Sequence, residues 1–81
     1  MRVKVRFFAA LRERVGATEI TKEIVEGSTV RDLWEALQHE YPKLAPVKMA
    51  LLYAVNRDYV SPNRVLQDED EVAFVPPVSG G

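Results

Sequence analysis

The residue types that usually carry chemistry are scarce in this chain. Its 81 residues include no cysteine and a single histidine, His39. A thiol nucleophile, a thiolate metal site and a disulfide are therefore excluded, and one imidazole without a second ligand or a carboxylate partner predicts a surface residue. The sequence has no glycine-rich phosphate loop, no visible Ser/Thr or carboxylate catalytic cluster and no metal-ligand spacing. We expect no catalytic side chain and no metal site.

The reactive group that stands out is the α-carboxylate of Gly81, the last residue of the stretch FVPPVSGG. Pro76 and Pro77 lack backbone donors and have a fixed φ, so this stretch can continue neither a sheet ladder nor a helix. Gly80 and Gly81 have no Cβ, so the tip can enter a narrow channel and adopt backbone angles closed to other residues. We predict a stiff, extended tail over residues 76–81. An ordinary flexible terminus is the alternative.

Length and charge limit the classes of function. A chain of 81 residues is one domain, predicted here over residues 1–75, near the lower size limit for a self-sufficient core. Eleven Lys and Arg against twelve Asp and Glu give a net charge of -1, which argues against a nucleic-acid partner. No apolar run approaches the roughly 20 residues that span a bilayer, and no signal-peptide pattern is present. We expect a cytoplasmic protein without a membrane partner.

The first part of the chain predicts two strands and a short helix. Residues 2–8 alternate between apolar and charged side chains, which leaves Phe8 on the charged, solvent-facing side. Residues 9–15 indicate a short helix. Residues 18–25 indicate a second strand, and the inward Lys22 on its apolar face favours an edge position in the sheet.

The main helix has a clear beginning, an apolar stripe and an end. Thr29 is the predicted N-cap, with Asp32 completing a capping box. Pro42 ends the helix. The helix is amphipathic, and its apolar stripe recurs at helical spacing in Val30, Leu33, Trp34, Leu37 and Tyr41. We interpret Trp34 as a core residue and not as a cofactor platform.

The second half predicts strands only. Residues 49–55 and 59–60 form a hairpin around a polar turn, Val65 and Leu66 anchor the following loop in the core, and residues 71–75 form the last strand. A single amphipathic helix against one mixed sheet is the two-layer α+β architecture.

These pieces together resemble the small subunit of molybdopterin synthase. The resemblance covers essentially the whole chain and rests on VKVRFFA at 3–9, LRE at 11–13 before Gly16, TVxxL at 29–33, AVN at 54–56 and DEVAFxPPVxGG at 70–81. It implies a ubiquitin-like β-grasp fold with an extended C-terminal tail. Glu69 departs from the family, which usually has glycine there. If the turn requires φ > 0, Glu69 costs about 1 kcal/mol relative to glycine.

The resemblance also implies a function for the tail. An E1-like adenylyltransferase would use ATP to activate Gly81, and a sulfur donor would convert the terminus to a thiocarboxylate. The tail would then enter the large subunit of molybdopterin synthase, in a heterotetramer of two small and two large subunits, and donate sulfur to cyclic pyranopterin monophosphate. Gly80 would permit threading, while Pro76, Pro77 and Val78 would hold the tail extended. No bound cofactor is implied.

For docking to these partners we predict an apolar patch of Phe8, Tyr59 and Val75. It combines the outward side of the first strand with the non-core face of the last strand, beside the root of the tail. The alternative is that one or more of the three are core residues, because a shift of one residue in register exchanges the faces of a strand.

Three other functions remain open. The chain could be a sulfur carrier for thiamin or tRNA thiolation, whose members look shorter and lack the Pro-Pro-Val segment. It could be a ubiquitin-like modifier that forms an isopeptide bond through Gly81. It could also be a β-grasp binding module with an incidental tail, in which case removal of Gly80 and Gly81 would leave the function intact.

Overall fold

One mixed sheet dominates the computed structural model, which describes residues 1–45 and 51–76. In chain order the elements are β1 (Arg2–Phe7), α1 (Ala10–Val15), β2 (Glu19–Glu23), α2 (Val30–Glu40), a 3₁₀ turn (Pro42–Leu44), β3 (Leu52–Val55), β4 (Asp58–Val60) and β5 (Glu71–Val75). The strand order is β2-β1-β5-β3-β4, in which β1 and β5 are parallel and the other neighbouring pairs antiparallel. The predicted last strand is confirmed at its stated bounds.

Helix α2 begins at the predicted capping box. The Asp32 backbone N–H donates to Thr29 Oγ1 at 3.2 Å, and the Thr29 N–H donates to Asp32 Oδ2 at 2.9 Å, so two of the otherwise unpaired amides of the first turn are satisfied. The apolar stripe predicted for the helix is confirmed, because Val30, Leu33 and Leu37 are fully buried.

The core lies between α2 and the inner face of the sheet. Alternate strand residues enter it, so that β1 and β5 each contribute every second side chain. The Trp34 ring lies 5.0 Å from the Phe74 ring between centroids, which confirms Trp34 as a core residue. The fully buried residues include Val3, Val5, Phe7, Leu11, Val30, Leu33, Leu37, Leu44, Val55, Leu66, Val72 and Phe74. The two-layer α+β architecture is therefore confirmed.

Strand β2 occupies one edge of the sheet, as the inward lysine predicted. It is shorter than predicted and spans Glu19–Glu23. Lys22 reaches from this edge to the end of α2, where its Nζ donates to Glu40 Oε2 at 2.9 Å. Lys22 therefore lies at the edge of the core, and its charge is paired with that of Glu40.

The predicted anchoring of two loop residues in the core is confirmed for Leu66 and wrong for Val65. Val65 is 52% exposed, whereas Leu66 is 2% exposed. Val65 forms an isolated antiparallel bridge with Thr29, and the alternation of extended backbone then turns only Leu66 inward. The segment after α2 begins with the 3₁₀ turn. Residues 46–50, which include the start of the predicted strand 49–55, lie outside the described residues.

The turn before β5 has the backbone geometry that disfavours its central residue. Glu69 has φ 71°, in the left-handed region, and its N–H donates to the Arg2 carbonyl at 2.7 Å. The turn therefore does require φ > 0 at residue 69, which is the case in which glutamate costs stability relative to glycine. Glutamate stands where glycine would be favoured by about 1 kcal/mol.

No helix in residues 1–45 and 51–76 has the length and hydropathy needed to cross a membrane.

Candidate functional site: a groove on the outer face of the sheet

One row of side chains crosses the outer face of the sheet, opposite α2. The pairing registers align Arg6 of β1 with Ala73 of β5, Ala73 with Ala54 of β3, and Ala54 with Tyr59 of β4. Two small side chains therefore lie in the middle of the row and two large ones at its ends. This order of sizes makes the face concave.

The result is an open groove of about 330 Å³ at the centre of the outer face. Its lining comprises Arg6, Phe8, Ala54, Arg57, Tyr59, Glu71, Ala73 and Val75. Tyr59 is 71% exposed and Phe8 39% exposed, and Val75 is half-buried. The three residues of the predicted docking patch thus line one groove, and none of them is a core residue.

Parallel pairing of β1 with β5 explains why Phe8 and Val75 meet. Phe7 and Phe74 are partners in register and both point into the core, so the residue that follows each of them, Phe8 just after β1 and Val75 at the end of β5, points outward. The antiparallel partner of Val75 on β3 is Leu52, which is 49% exposed on the same face. Leu52 therefore extends the apolar surface beyond the three predicted residues.

A tight turn places Arg57 at the rim of the groove. Asn56 and Arg57 connect β3 to β4, and both have positive φ, 50° and 74°. Two such residues define a type I′ turn, which matches the twist of a hairpin and favours Asn-Gly. Asparagine occupies the first position as expected. Arginine occupies the second, where glycine would be favoured by about 1 kcal/mol.

Side-chain hydrogen bonds fix this turn to the start of β5. Asn56 donates its backbone N–H to the Glu71 carbonyl at 2.8 Å and accepts the Glu71 N–H on Oδ1 at 3.0 Å. Asn56 Nδ2 donates to Asp70 Oδ1 at 2.9 Å, and the Gln67 N–H donates to Asp70 Oδ2 at 2.8 Å. Asp70 is 8% exposed, so this carboxylate is a buried acceptor, and each of its two oxygens accepts a hydrogen bond.

The charged residues that line the groove are Arg6, Arg57 and Glu71. The Arg6 guanidinium lies 5.8 Å from the centre of the Phe8 ring, within the range of a cation–π contact. Arg6 also faces Glu19 of β2 in register, and Lys4 faces Glu71. For Arg57 no hydrogen bond or ion pair of the side chain occurs within residues 1–45 and 51–76.

The groove lies at the root of the tail. Val75 ends β5, and Pro76 follows it without secondary structure, as expected of a residue that cannot extend the ladder. The remaining predicted site residues, Pro77, Val78, Gly80 and Gly81, lie outside the described residues. Their roles stay predictions.

The described residues offer little chemistry of their own. No group of three or more His, Cys, Asp or Glu side chains in them could hold a metal ion. His39 is exposed, as predicted. The outer face combines an apolar floor with three charged side chains at its border, those of Arg6, Arg57 and Glu71.

Sequence reasoning missed Leu52, Arg6 and Arg57 as neighbours of the docking patch. The available signal was the alternation of β3 around the AVN segment, which assigns Leu52 and Ala54 to one face once the hairpin turn is placed at residues 56–57. The contribution of Arg6 depends on the parallel pairing of β1 with β5, which joins residues far apart in the chain.

Comparison with known proteins gives one consistent family. The ThiS family matches residues 5–81. The chain is 46% identical to the molybdopterin synthase sulfur carrier subunit of Escherichia coli (strain K12), covering 98% of this chain and 99% of that protein. It is 40% identical to the protein of the same name from Chlamydomonas reinhardtii over the full length of both.

Solved structures agree with the sequence comparison. A protein described as a putative molybdopterin converting factor, subunit 1, from Pyrococcus furiosus has a TM-score of 0.88 at 35% identity and covers 96% of this chain and 99% of that one. SAMP1 from Haloferax volcanii has a TM-score of 0.89 at 25% identity with full coverage of both chains. In a complex of subunits 1 and 2 of molybdopterin-converting factor from Helicobacter pylori, one chain matches at TM-score 0.69 and 26% identity, again with full coverage. The β-grasp fold implied by the sequence is confirmed by these neighbours.

Proposed function

This chain belongs to the ThiS family, and from that premise we propose that it is the sulfur carrier subunit of a molybdopterin synthase. The named relatives that match over their full length carry that function in their names. The observation that carries the proposal for this chain is the position of the outer-face groove. It lies where the chain leaves β5 toward Gly81, so a partner seated there receives the tail.

The chemistry we propose takes place at the Gly81 carboxylate. A carboxylate is a poor electrophile, because its negative charge resists attack and oxide is a poor leaving group. Attack of this carboxylate on the α-phosphate of ATP forms an acyl-adenylate and releases pyrophosphate. A sulfide-level nucleophile then attacks the acyl carbon, AMP leaves with the C–O electron pair, and a thiocarboxylate remains.

In the last step the terminal sulfur attacks a carbon of cyclic pyranopterin monophosphate and displaces an oxygen substituent, which joins carrier and substrate as a thioester. Water then hydrolyses the bond between the Gly81 acyl carbon and sulfur, so that the sulfur stays on the substrate and the Gly81 carboxylate is restored. A second thiocarboxylated carrier supplies the second sulfur atom of the dithiolene in the same way. The groups that hold the substrate and move its protons belong to the large subunit in this proposal. The absence of cysteine suits the scheme, since a thiol on this chain could intercept the activated terminus.

The partners follow from the same steps. A large subunit is supported by the Helicobacter pylori complex, in which a similar chain is bound to a second subunit. We propose a heterotetramer of two small and two large subunits, an E1-like adenylyltransferase that binds the ATP, and a separate sulfur donor. The carrier itself would hold no cofactor.

The docking surface of the proposal is the groove with its apolar border of Phe8, Tyr59 and Val75. Aromatic side chains that are exposed in the free protein and gather beside a concave floor are typical of the residues that dominate binding energy at interfaces. Pro76, Pro77 and Val78 would hold the tail away from the sheet, and Gly80 would allow it to pass through a narrow channel to the active site.

A second function is favoured by one observation, the similarity to SAMP1. Related chains of this fold are described as small archaeal modifier proteins. In such a role Gly81 would be joined to a lysine of a target protein, and the first step, adenylation, would be shared. A sulfur carrier for thiamin or tRNA thiolation would also share the first two steps.

The experiment that tests the carrier chemistry is intact mass spectrometry. Purified protein is incubated with ATP, a sulfide source and the adenylyltransferase of the same genome. We expect the mass to rise by the difference between sulfur and oxygen, with fragment ions that place the change at Gly81. Reactions without ATP, and a chain lacking Gly80 and Gly81, should show no change. The proposal would be refuted by an unchanged mass in a reaction whose adenylyltransferase has been shown to be active on another substrate.

A variant separates threading from folding. Gly80→Val adds a branched side chain to the predicted tail, five residues beyond the end of β5, so the thermal midpoint should stay within the scatter of the wild type. Adenylation or sulfur transfer should be blocked. Normal rates of both steps for this variant would remove the argument that glycine is needed for passage through the channel.

A further inference from the structure

We propose that Arg57 determines the specificity of docking, by pairing with a carboxylate of the large subunit at the rim of the outer-face groove. The inference rests on the proposed function. It adds to the apolar patch one ion pair, formed by Arg57 at the rim of the groove. The partner segment that it describes carries an apolar side chain for the floor of the groove and an Asp or Glu beside it.

The backbone at Arg57 gives the first argument. Its φ of 74° favours glycine in a type I′ turn, yet the chain has a long cationic side chain there. A side chain in such a conformation adds strain to the free domain, and strained positions of this kind cluster at binding sites. The Asn56 and Asp70 hydrogen bonds hold the turn in place, so the guanidinium starts from a fixed Cα beside the groove.

The pairing of charges gives the second argument. Among the other cations of the outer face, Arg2 forms an ion pair with Glu23 at 3.5 Å. Lys4 and Arg6 form no ion pair in the described residues, but each has a carboxylate residue as its cross-strand partner, Glu71 and Glu19, and Arg6 also lies over the Phe8 ring. Arg57 is exposed and shares the lining of the groove with Glu71, yet within residues 1–45 and 51–76 no carboxylate lies within the 4.0 Å of an ion pair with it. Its complement is therefore expected on the partner.

The floor of the groove determines what else the partner must present. Ala54 and Ala73 form an apolar floor, with Tyr59 on one side and Phe8 and Val75 on the other. An apolar side chain of the partner that fills this space excludes water from the contact, and exclusion of water strengthens the neighbouring ion pair at the rim. An acidic residue next to an apolar one is thus the segment that fits both features.

The test measures association of the wild-type chain and matched variants with the large subunit of the same genome. Arg57→Glu reverses the charge at the rim, and Arg57→Gln removes it. Arg31→Glu makes the same change of charge on the exposed side of α2, behind the opposite face of the sheet, and serves as control. Association rates are recorded from about 0.05 to about 0.5 M salt, a range over which the screening length falls severalfold.

We expect Arg57→Glu to weaken binding by about tenfold at low salt, mainly through the association rate, and Arg57→Gln to have a smaller effect in the same direction. The difference from wild type should shrink as salt rises. Arg31→Glu should stay within about twofold of wild type. Reversal of one carboxylate on the large subunit to lysine should restore binding to Arg57→Glu and not to Arg31→Glu.

Equal association of Arg57→Glu and Arg31→Glu, with wild-type binding intact, would overturn the role of Arg57 and leave the proposed function standing. A wild-type chain that accepts sulfur at Gly81 but does not bind the large subunit would overturn both. Thermal melting of each variant shows whether the fold is retained, and the exposed positions of residues 31 and 57 predict unchanged midpoints.

Discussion

The two faces of the sheet are built from the same strands but have different roles. On the inner face Val3, Val5, Val72 and Phe74 are fully buried against α2. On the outer face the residues between them are charged, aromatic or small, and they surround an open groove. A period of two along each strand therefore separates the residues that stabilise the domain from those available to a partner. Mutations on the two faces should differ accordingly.

The largest difference is expected between the same substitution in the core, made on α2, and on the outer face of the sheet. Leu37→Ala removes a fully buried side chain that packs against the inner face, and it should lower the free energy of unfolding by about 2 to 5 kcal/mol. Leu52→Ala removes a side chain that is 49% exposed on the outer face and should cost less than about 1 kcal/mol. Chemical denaturation measures both. Equal losses would contradict the assignment of faces.

A somewhat smaller effect is expected at the hydrogen bonds that hold the Arg57 turn. Asp70→Ala leaves the Gln67 N–H and Asn56 Nδ2 without their buried acceptor, and should cost about 2 kcal/mol of unfolding free energy. Asp68→Ala is the matched control, since exposed Asp68 accepts only the Arg2 N–H within residues 1–45 and 51–76 and should cost about 0.5 to 1 kcal/mol. A control as damaging as Asp70→Ala would show that burial of the carboxylate is unimportant.

Tyr59→Ala should separate binding from stability. The side chain is 71% exposed, so its loss should change the free energy of unfolding by less than about 0.5 kcal/mol. It lines the groove, so binding of the large subunit should weaken by about 2 kcal/mol if Tyr59 is a main contact. Titration calorimetry with the large subunit measures the second value. Undiminished affinity would remove Tyr59 from the proposed interface.

The smallest effects come from the two strained turns. Glu69→Gly and Arg57→Gly each relieve a positive φ, 71° and 74°, and each should raise the free energy of unfolding by about 1 kcal/mol. Only Arg57→Gly should also weaken docking, because Glu69 does not line the groove. If both variants, or neither, lost affinity for the large subunit, the two turns could not be told apart. The account requires that only the turn at Arg57 presents a binding residue.

Much of this architecture could be predicted from local patterns. The capping residues Thr29 and Asp32 predicted the start of α2, and its apolar stripe predicted the buried face of the helix. The alternation of residues 2–8 placed Phe8 outside the core. Each of these features depends on neighbours within one or two turns or on a single strand. At residue 69 the departure from the family's glycine only raised the question of a positive φ, and the structure answers it with φ 71°.

The remainder depended on pairing between distant segments. Val65 and Leu66 were indistinguishable as apolar neighbours, until the bridge to Thr29 decided which of them points inward. Arg6, Phe8 and Arg57 line one groove because β1 pairs with β5 in a parallel register and β3 pairs with β5 in an antiparallel register. Predicting the groove would require knowledge of both registers. No local period contains that information.

The central claim is that Gly81 carries sulfur for molybdopterin synthesis, and one measurement tests it most directly. Protein already converted to the thiocarboxylate is mixed with the large subunit and cyclic pyranopterin monophosphate, and the mass of the small subunit is followed with time. We expect it to return to that of the unmodified chain while molybdopterin forms. Sulfur that remains at Gly81, or a chain that becomes joined to a lysine of another protein, would contradict this account.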